Sequence, residues 1–300
     1  MINRGNFALV QIDTDYLLSL RDIITRTRGR RANIRGYSGY ITGHKRGRGS
    51  IFYDVRPWSE GDDIRHIDSY KTAKTGVPHI RTFHEERENK IILVADFRSS
   101  MFFGTRRALR SVVVAETISM TGWRAINARN QIGLFVVTSR DMTFVGWADH
   151  ASTFASLLDK LASLHREVNN LQATDDFCMD KVLEIAHKKS GSASIIIATA
   201  LDAPGKNFDK YARLITKRRN LDFILISDKF ERDPLPGYYP YYTHEGESGV
   251  IRISGELAKK SHCEWPDRLA RLGAGSICIE SELDPSAVAL ALDYFYDGPR

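Results

Sequence analysis

The chain has 300 residues, of which 42% are hydrophobic and 27% charged, as in ordinary globular proteins. This length suits one large α/β domain with an appended segment, or two small domains. No apolar run approaches the roughly 20 residues of a membrane span. Asp13 and Asp15 interrupt the stretch that an export signal needs to be apolar. The cysteines Cys178, Cys263 and Cys278 lack the spacing of a zinc site or a disulfide framework. These features predict a cytoplasmic protein.

The net charge of +6 is concentrated near the N-terminus. Between Arg26 and Arg48 the chain carries eight Lys or Arg residues and no acid, with Tyr37 and Tyr40 interleaved. Phosphate attraction and base stacking need these residue types, so a nucleic acid is one candidate partner of this segment. A solvated loop, or one that docks on an acidic protein surface, is the alternative. The segment has no helix-turn-helix, zinc or RNA-recognition signature.

Hydrophobic periodicity predicts a helix over residues 13–28 and short strands over 51–56 and 79–83. From Lys90 onward, strand and helix patterns alternate. Strands are predicted at 91–95, 131–138, 143–147, 194–199, 222–227 and 276–279, and helices at 105–128, 151–164, 176–189, 208–219, 256–272 and 284–296. The second and third of these strands are expected to form an antiparallel hairpin. The alternation predicts an α/β fold with a doubly wound, mostly parallel sheet.

The expected domain boundary lies just before the first buried strand. Residues 1–88 are predicted to hold a basic helix and loop and a small β-rich segment, and residues 89–300 the α/β domain. On the predicted helix 105–128, Arg106, Arg107 and Arg110 are expected to face solvent.

A divalent cation is one candidate ligand of the sheet. Residues 91–101, IILVADFRSSM, place Asp96, Ser99 and Ser100 directly after a buried strand. Thr174 and Asp202 fall in two other loops that are expected at the same edge of the sheet, where open α/β sheets bind their ligands. Oxygen atoms of Asp96, Ser100, Thr174 and Asp202, completed by water, would suit Mg²⁺.

Arg98 stands in the middle of this pattern, where a serine would complete Asp-x-Ser-x-Ser. A guanidinium has only donors and a permanent charge, so it cannot ligate a cation. If Arg98 points inward, it competes with the metal for Asp96 and substitutes for it electrostatically. If it points to solvent, the remaining oxygen atoms would hold a weakened site. Both orientations are compatible with the sequence.

A second acidic group lies at Asp62, Asp63 and Asp68, with Arg56 and Arg65 interleaved. Clustered carboxylates can bind metal or transfer protons, so a metal-dependent hydrolase is one interpretation. It requires activity that is lost on chelation. The other interpretation is a structural ion-pair motif formed with the two arginines.

Two motifs resemble the bacterial domain-of-unknown-function 58 family, whose members are von Willebrand factor type A-like. Residues 56–68, RPWSEGDDIRHID, are similar to the family pattern R-x-Y-x-x-G-D-D-x-R-x-I-D. Residues 96–101, DFRSSM, are similar to its metal-ion-dependent adhesion motif, D-x-S-x-S-M. Ser227-Asp228 with Glu231, followed by Asp233-Pro234-Leu235-Pro236, is similar to the segment after a late strand. The likeness covers roughly residues 30–297, with Ser69 in place of a tryptophan and Arg98 in place of a serine.

The resemblance implies a von Willebrand A-like domain that acts as adaptor or co-chaperone for a MoxR-type AAA+ ATPase in assembling or remodelling a client protein. Partners of such domains bind the strand-end face, often with a carboxylate that completes the metal shell. Arg98, with Ser99 beside it, would here meet that carboxylate through a bidentate pair. The sequence has no paired nucleophile and base, and residues 43–49 lack the ending of a nucleotide-binding loop. The leading hypothesis is therefore a non-enzymatic interaction module.

Overall fold

A computed structural model describes residues 10–27, 51–59, 62, 65, 67–84, 90–168, 177–232, 236–242, 248–253 and 264–297. The chain divides into two compact units. One comprises residues 1–41 and 90–300, and the other residues 42–89.

The larger unit is built on a six-stranded sheet. Its strands are β3 (Lys90–Asp96), β4 (Gln131–Val137), β5 (Met142–Ala148), β6 (Ser194–Thr199), β7 (Leu221–Ser227) and β10 (Gly275–Glu280). They lie in the order β10-β7-β6-β3-β4-β5, and every neighbouring pair is parallel except β4 and β5. The predicted mostly parallel sheet and the predicted antiparallel hairpin are confirmed. The strand order reverses between β3 and β6, and such a switch point opens a crevice at the carboxyl ends of the strands.

Helices cover both faces of this sheet. They are α1 (Thr14–Thr27), α3 (Arg110–Asn127), α4 (Ala151–Val168), α5 (Met179–Lys189), α6 (Phe208–Thr216), α8 (Glu264–Arg271) and α9 (Pro285–Asp297). Alternate residues of each strand enter two separate apolar clusters: Leu93 and Ala95 pack with α1, α3, α4 and α9, and Ile92 and Val94 pack with α5, α6 and α8. This is the doubly wound arrangement that the alternating pattern predicted.

Helix α1 belongs to the larger unit, so the predicted boundary at residue 88 separates it from the elements on which it packs. Leu17, Leu20 and Ile24 are buried in the cluster that contains α3. The Ser119 hydroxyl donates to the Leu17 carbonyl at 2.9 Å. The amphipathic face of α1 was visible in the sequence, but the surface that covers it lies about 100 residues away.

In the part of the chain that the structure describes, we find no helix with the length and apolarity to cross a membrane.

The smaller unit pairs β1 (Ile51–Pro57) with β2 (His79–His84) in an antiparallel ribbon. The short helix α2 (Ser69–Thr75) lies between them in sequence and was not predicted. Its N-cap is Asp68, whose side chain accepts a hydrogen bond from the backbone N–H of Lys71 at 2.8 Å.

Three further segments of the chain differ from the prediction. Helix α3 begins at Arg110 rather than at residue 105, because Thr105 is held outside the helix by Asp228, to which both its N–H and its hydroxyl donate. The chain after β7 forms the short helix α7 (Lys229–Arg232) and a hairpin of β8 (Gly237–Tyr242) and β9 (Ser248–Ile253). Helix α8 covers about the second half of the predicted helix 256–272, and residues 254–263 lie outside the described residues.

Candidate functional site

The candidate site is the carboxyl edge of the large sheet, where the loops after β3, β6 and β7 meet. Asp96 is the last residue of β3 and is fully buried. The Thr199 hydroxyl, at the end of the neighbouring strand β6, donates to Asp96 Oδ2 at 2.6 Å. Parallel pairing of β3 and β6 brings these two residues together although 103 positions separate them in the chain.

Arg98 points inward and pairs with Asp96. Its Nε donates to Asp96 Oδ1 at 2.9 Å and its Nη2 to Oδ2 at 2.8 Å, a bidentate geometry. The backbone N–H of Arg98 also donates to Asp96 Oδ1, at 3.1 Å. The Arg98 side chain is 1% exposed and that of Asp96 is not exposed at all. Of the two orientations that the sequence allowed, the structure has the inward one.

The Arg98 guanidinium also joins two other loops. Its Nη1 donates to the carbonyl oxygens of Phe177, at 2.9 Å, and Ala203, at 3.4 Å. Phe177 precedes α5, and Ala203 lies in the loop after β6. Four oxygen atoms from three loops therefore surround the guanidinium, and we call this arrangement the oxygen cage. The expectation that Arg98 meets a carboxylate of a partner does not fit this geometry, because the side chain is buried and donates inward.

Asp202, another of the predicted metal ligands, has a different partner. Asp202 pairs with a second arginine, Arg110, at 3.2 Å between Oδ2 and Nη2. The same Nη2 donates to the backbone carbonyl of Ser100 at 2.6 Å. Thr174 lies outside the described residues. The two carboxylates of the predicted set, Asp96 and Asp202, thus pair with two different arginines.

Arg110 organises the exposed part of this edge. Its Nη1 donates to Glu231 Oε1 at 2.6 Å, and its guanidinium carbon lies 5.3 Å from the centre of the Phe103 ring. The Arg110 side chain is 5% exposed, whereas Asp202 and Glu231 are 28% and 21% exposed. The partly exposed carboxylates of Asp202 and Glu231 therefore lie between solvent and the buried guanidinium of Arg110. Sequence reasoning assigned Arg110 to the solvent face of its helix and missed this role.

Asp228, directly after β7, holds the same edge together. It accepts hydrogen bonds from the Thr105 hydroxyl at 2.6 Å, the Ser281 hydroxyl at 2.8 Å and the Phe230 N–H at 2.9 Å. Burial acts to raise the pKa of Asp228, but these hydrogen bonds outweigh burial and lower it. The carboxylate therefore stays ionised and links the loops that follow β3, β7 and β10. The resemblance pointed to this segment without giving the residue a role.

His165 packs against the loop that follows β3. From the sequence it could be interpreted only as a surface or core residue. It is fully buried on α4, hydrogen-bonded to Ser111 at 2.9 Å, and its ring packs on Phe97 and Phe102 at 5.0 and 5.2 Å. Burial lowers the pKa of His165 to about 4. The imidazole is therefore neutral near pH 7 and acts as part of the core.

In the smaller unit, the acidic motif forms structural bonds. Asp62 accepts two hydrogen bonds from Arg56, at 2.6 and 2.7 Å, and one from the N–H of Ser59 at 2.9 Å. The hydrogen bonds from Arg56 lower the pKa of Asp62. Asp68 caps α2, Arg65 lies in a short turn, and Asp63 is outside the described residues. Over the described residues, we find no group of three or more His, Cys, Asp or Glu side chains that could hold a metal ion.

The family model described as "Protein of unknown function DUF58" matches residues 54–256, more than half of the chain. This chain belongs to the DUF58 family. The uncharacterised proteins Rv1480 of Mycobacterium tuberculosis (strain H37Rv) and Mb1516 of Mycobacterium bovis are each 27% identical to it over 207 residues. That match covers 69% of this DUF58 chain and 63% of each relative, so the chain spans less than two thirds of their length.

Two solved structures are similar to this DUF58 chain over most of their own length. The conserved hypothetical protein BatB from Bacteroides thetaiotaomicron is 13% identical, with a TM-score of 0.44 and coverage of 69% of this chain and 98% of BatB. The SpRpn10 VWA domain is 15% identical, with a TM-score of 0.42 and coverage of 66% and 92%.

The residues present do not fit a divalent cation at Asp96. Both carboxylate oxygens of Asp96 already accept from Arg98, which brings a permanent positive charge to the place where the metal of a von Willebrand A-like motif would bind. A cation would have to displace a buried guanidinium that four oxygen atoms hold.

Proposed function

We propose that this DUF58 protein is a non-enzymatic interaction module that binds a partner protein at the carboxyl edge of its sheet. The observation that carries the proposal is the network around Arg110. It fixes partly exposed groups from the loops after β3, β6 and β7 on one surface. Groups held rigidly by buried bonds lose little entropy on binding, which favours affinity.

The apolar part of the same surface is aromatic. The Phe103 ring is 37% exposed and lies 6.2 Å from Phe230, which in turn lies 4.8 Å from Tyr239 of the β8–β9 hairpin. Aromatic residues beside charged groups are typical of the energetically dominant part of protein interfaces. This composition supports a protein partner at the carboxyl edge.

We further propose, from the family resemblance, that the partner is a MoxR-type AAA+ ATPase and that the chain serves it as adaptor or co-chaperone toward a client protein. This role is compatible with a cytoplasmic location. The hydrolase alternative has less support, because the described oxygens of Asp62 and Asp68 make structural bonds to Arg56, Ser59 and Lys71. The nucleic-acid alternative depends on the basic segment 26–48, of which residues 28–48 lie outside the described residues.

The test is co-purification of the tagged chain with the AAA+ ATPase of its host, after nuclease digestion. The double variant Phe103→Ala/Asp202→Ala removes one aromatic and one acidic group from the carboxyl edge. We expect it to lower affinity for the ATPase tenfold or more, as loss of a central interface residue does.

The matched control is Leu214→Ala/Glu184→Ala. Leu214 is 39% exposed and Glu184 35% exposed, and they lie on α6 and α5 rather than in a strand-end loop. The control should bind as the unmodified chain does. Equal capture of the ATPase by both double variants would contradict the proposed surface, and no capture by the unmodified chain would contradict the proposed partner.

A further inference from the structure

The oxygen cage around Arg98 joins the loops of the carboxyl edge. The oxygen cage consists of the two carboxylate oxygens of Asp96 and the carbonyl oxygens of Phe177 and Ala203, all within 3.4 Å of a guanidinium nitrogen. Hard divalent cations take several carboxylate and carbonyl oxygens of this kind. Here the positive charge inside the cage belongs to the chain itself.

We infer that Arg98 is a built-in replacement for a divalent cation, so that the carboxyl edge is assembled, and binds its partner, without metal. This deepens the proposed function and rests on it only for the statement about partner binding. A bound metal exchanges with solvent and responds to cation concentration. A covalently attached guanidinium does neither, so the loops that it joins stay together whatever the cation supply.

The geometry supports replacement rather than simple charge neutralisation. Arg98 does not only pair with Asp96 on its own loop. It also bonds across the switch-point crevice to the loop after β6 and to the chain before α5, at sequence separations of 105 and 79 residues. Thr199 adds a hydroxyl donor to Asp96 from the neighbouring strand. One positive group thus joins loops from three parts of the fold.

Arg98 is therefore a positioning residue and not a contact for the partner. Its side chain is 1% exposed, so a partner at the carboxyl edge meets the groups around Arg110 and Phe103 instead. Partner binding depends on Arg98 through the loops that it holds.

The first experiment measures cation dependence in the unmodified chain. Thermal unfolding is followed in 10 mM Mg²⁺, in 10 mM Mn²⁺ and in EDTA, and Mn²⁺ binding is measured by the paramagnetic resonance signal of the free ion. We expect the same melting temperature in all three solutions and no Mn²⁺ binding that depends on Asp96. Submillimolar Mn²⁺ binding that Asp96→Asn abolishes would overturn the inference.

The second experiment empties the oxygen cage with Arg98→Ser, which also creates the complete pattern Asp-x-Ser-x-Ser. Without metal, the buried Asp96 carboxylate loses its charge partner, and we expect the melting temperature to fall by about 10 °C. Addition of 10 mM Mg²⁺ or Mn²⁺ should raise it again by about 5 °C, because a ligand that binds only the folded state stabilises it.

Two variants control for non-specific cation effects. Arg98→Ala lacks the new hydroxyl and should recover less, and Arg98→Ser/Asp96→Asn should not recover at all. A folded Arg98→Ser chain that does not respond to either cation would overturn the inference. If that variant does not fold, the cation response of the unmodified chain and of Asp96→Asn decides the question.

Measuring ATPase binding with and without EDTA separates this inference from the proposed function. If the ATPase binds the unmodified chain and EDTA releases it, cation-independent assembly is wrong although the proposed function stands. If no ATPase binds under any condition, the proposed partner is wrong, while the melting and Mn²⁺ measurements still decide the role of Arg98.

Discussion

Replacement of Arg107 by alanine tests how much the buried ion pair between Arg107 and Glu116 stabilises the fold. Glu116 is fully buried on α3 and accepts hydrogen bonds from Arg107 Nη1 and Nη2, at 2.8 and 2.7 Å. It also accepts from the hydroxyl of Tyr16 on α1. Arg107 in addition donates from Nε to the carbonyl of Ser281 at 3.1 Å. Arg107→Ala would leave the Glu116 carboxylate buried beside one neutral donor.

The expected loss follows from the burial of this pair. Removing one partner of a buried ion pair costs about 3–5 kcal/mol, because the other charge stays uncompensated. Arg107 is 19% exposed, so water can partly replace it, and Tyr16 still donates. Burial and the negative charge of Glu116 raise the pKa of Tyr16, so its hydroxyl keeps its proton near pH 7. We therefore expect the lower end, about 3 kcal/mol.

The assay is urea unfolding at pH 7 followed by circular dichroism at 222 nm, with the free energy of unfolding and the m-value fitted together. The control is Arg106→Ala, an exposed neighbour, which should change the free energy by less than about 0.5 kcal/mol. The double variant Arg107→Met/Glu116→Gln removes both charges and should be more stable than Arg107→Ala. A loss below about 1 kcal/mol for Arg107→Ala, at an unchanged m-value, would refute the reasoning that an uncompensated buried charge dominates.

Three further predictions concern buried groups. His165, with a folded pKa of about 4 against an ordinary value of 6.5, contributes stability that is present above pH 6.5 and lost as the pH falls toward 4. His165→Gln should remove about 2.5 kcal/mol of this acid dependence between pH 7.5 and 4.5, and a pH profile identical to that of the unmodified chain would contradict it. Burial raises the pKa of Asp222 to about 6, so its ionisation destabilises the fold as the pH rises from 4 to 6, and Asp222→Asn should be more stable than the unmodified chain above pH 6 but not below pH 4. If the difference in stability between Asp222→Asn and the unmodified chain is the same at every pH from 4 to 6, ionisation of Asp222 is not its cause. Gly122→Ala should destabilise the chain by about 1–3 kcal/mol in urea unfolding, because the new Cβ would overlap the Phe154 ring. Phe154→Leu should then partly restore stability. If the effects of the two substitutions simply add in the double variant, the clash is not the cause.

Most of the sheet could be predicted from sequence because each strand carries its own signal. The runs at β3, β6 and β7 are continuous and apolar, as strands with two covered faces require, and their alternation with amphipathic helices gave the doubly wound order. The β8–β9 hairpin was missed. Its first strand, GYYPYY, contains a proline and shows no alternation of apolar and polar residues.

The contacts of Arg107 and Arg110 could not be predicted from the sequence. Arg107 and Arg110 were expected on a solvent-facing helix surface, yet Arg107 lies before the helix and both pair with buried or half-buried acids. Their partners Glu116 and Glu231 lie 9 and 121 residues away. A long charged side chain has no periodic signal of its own, so its direction depends on which acids the fold brings near it.

The sequence by itself determined the sheet, its two covered faces and the location of Asp96, Arg98 and Asp202 at strand ends, because hydrophobic period and strand order fix these backbone positions. Only the tertiary structure decided that Arg98 turns inward. That choice depends on the carbonyl oxygens of Phe177 and Ala203, which lie 79 and 105 residues further along the chain. A buried guanidinium is stable only where several oxygens converge on it, and that convergence exists once the loops have met.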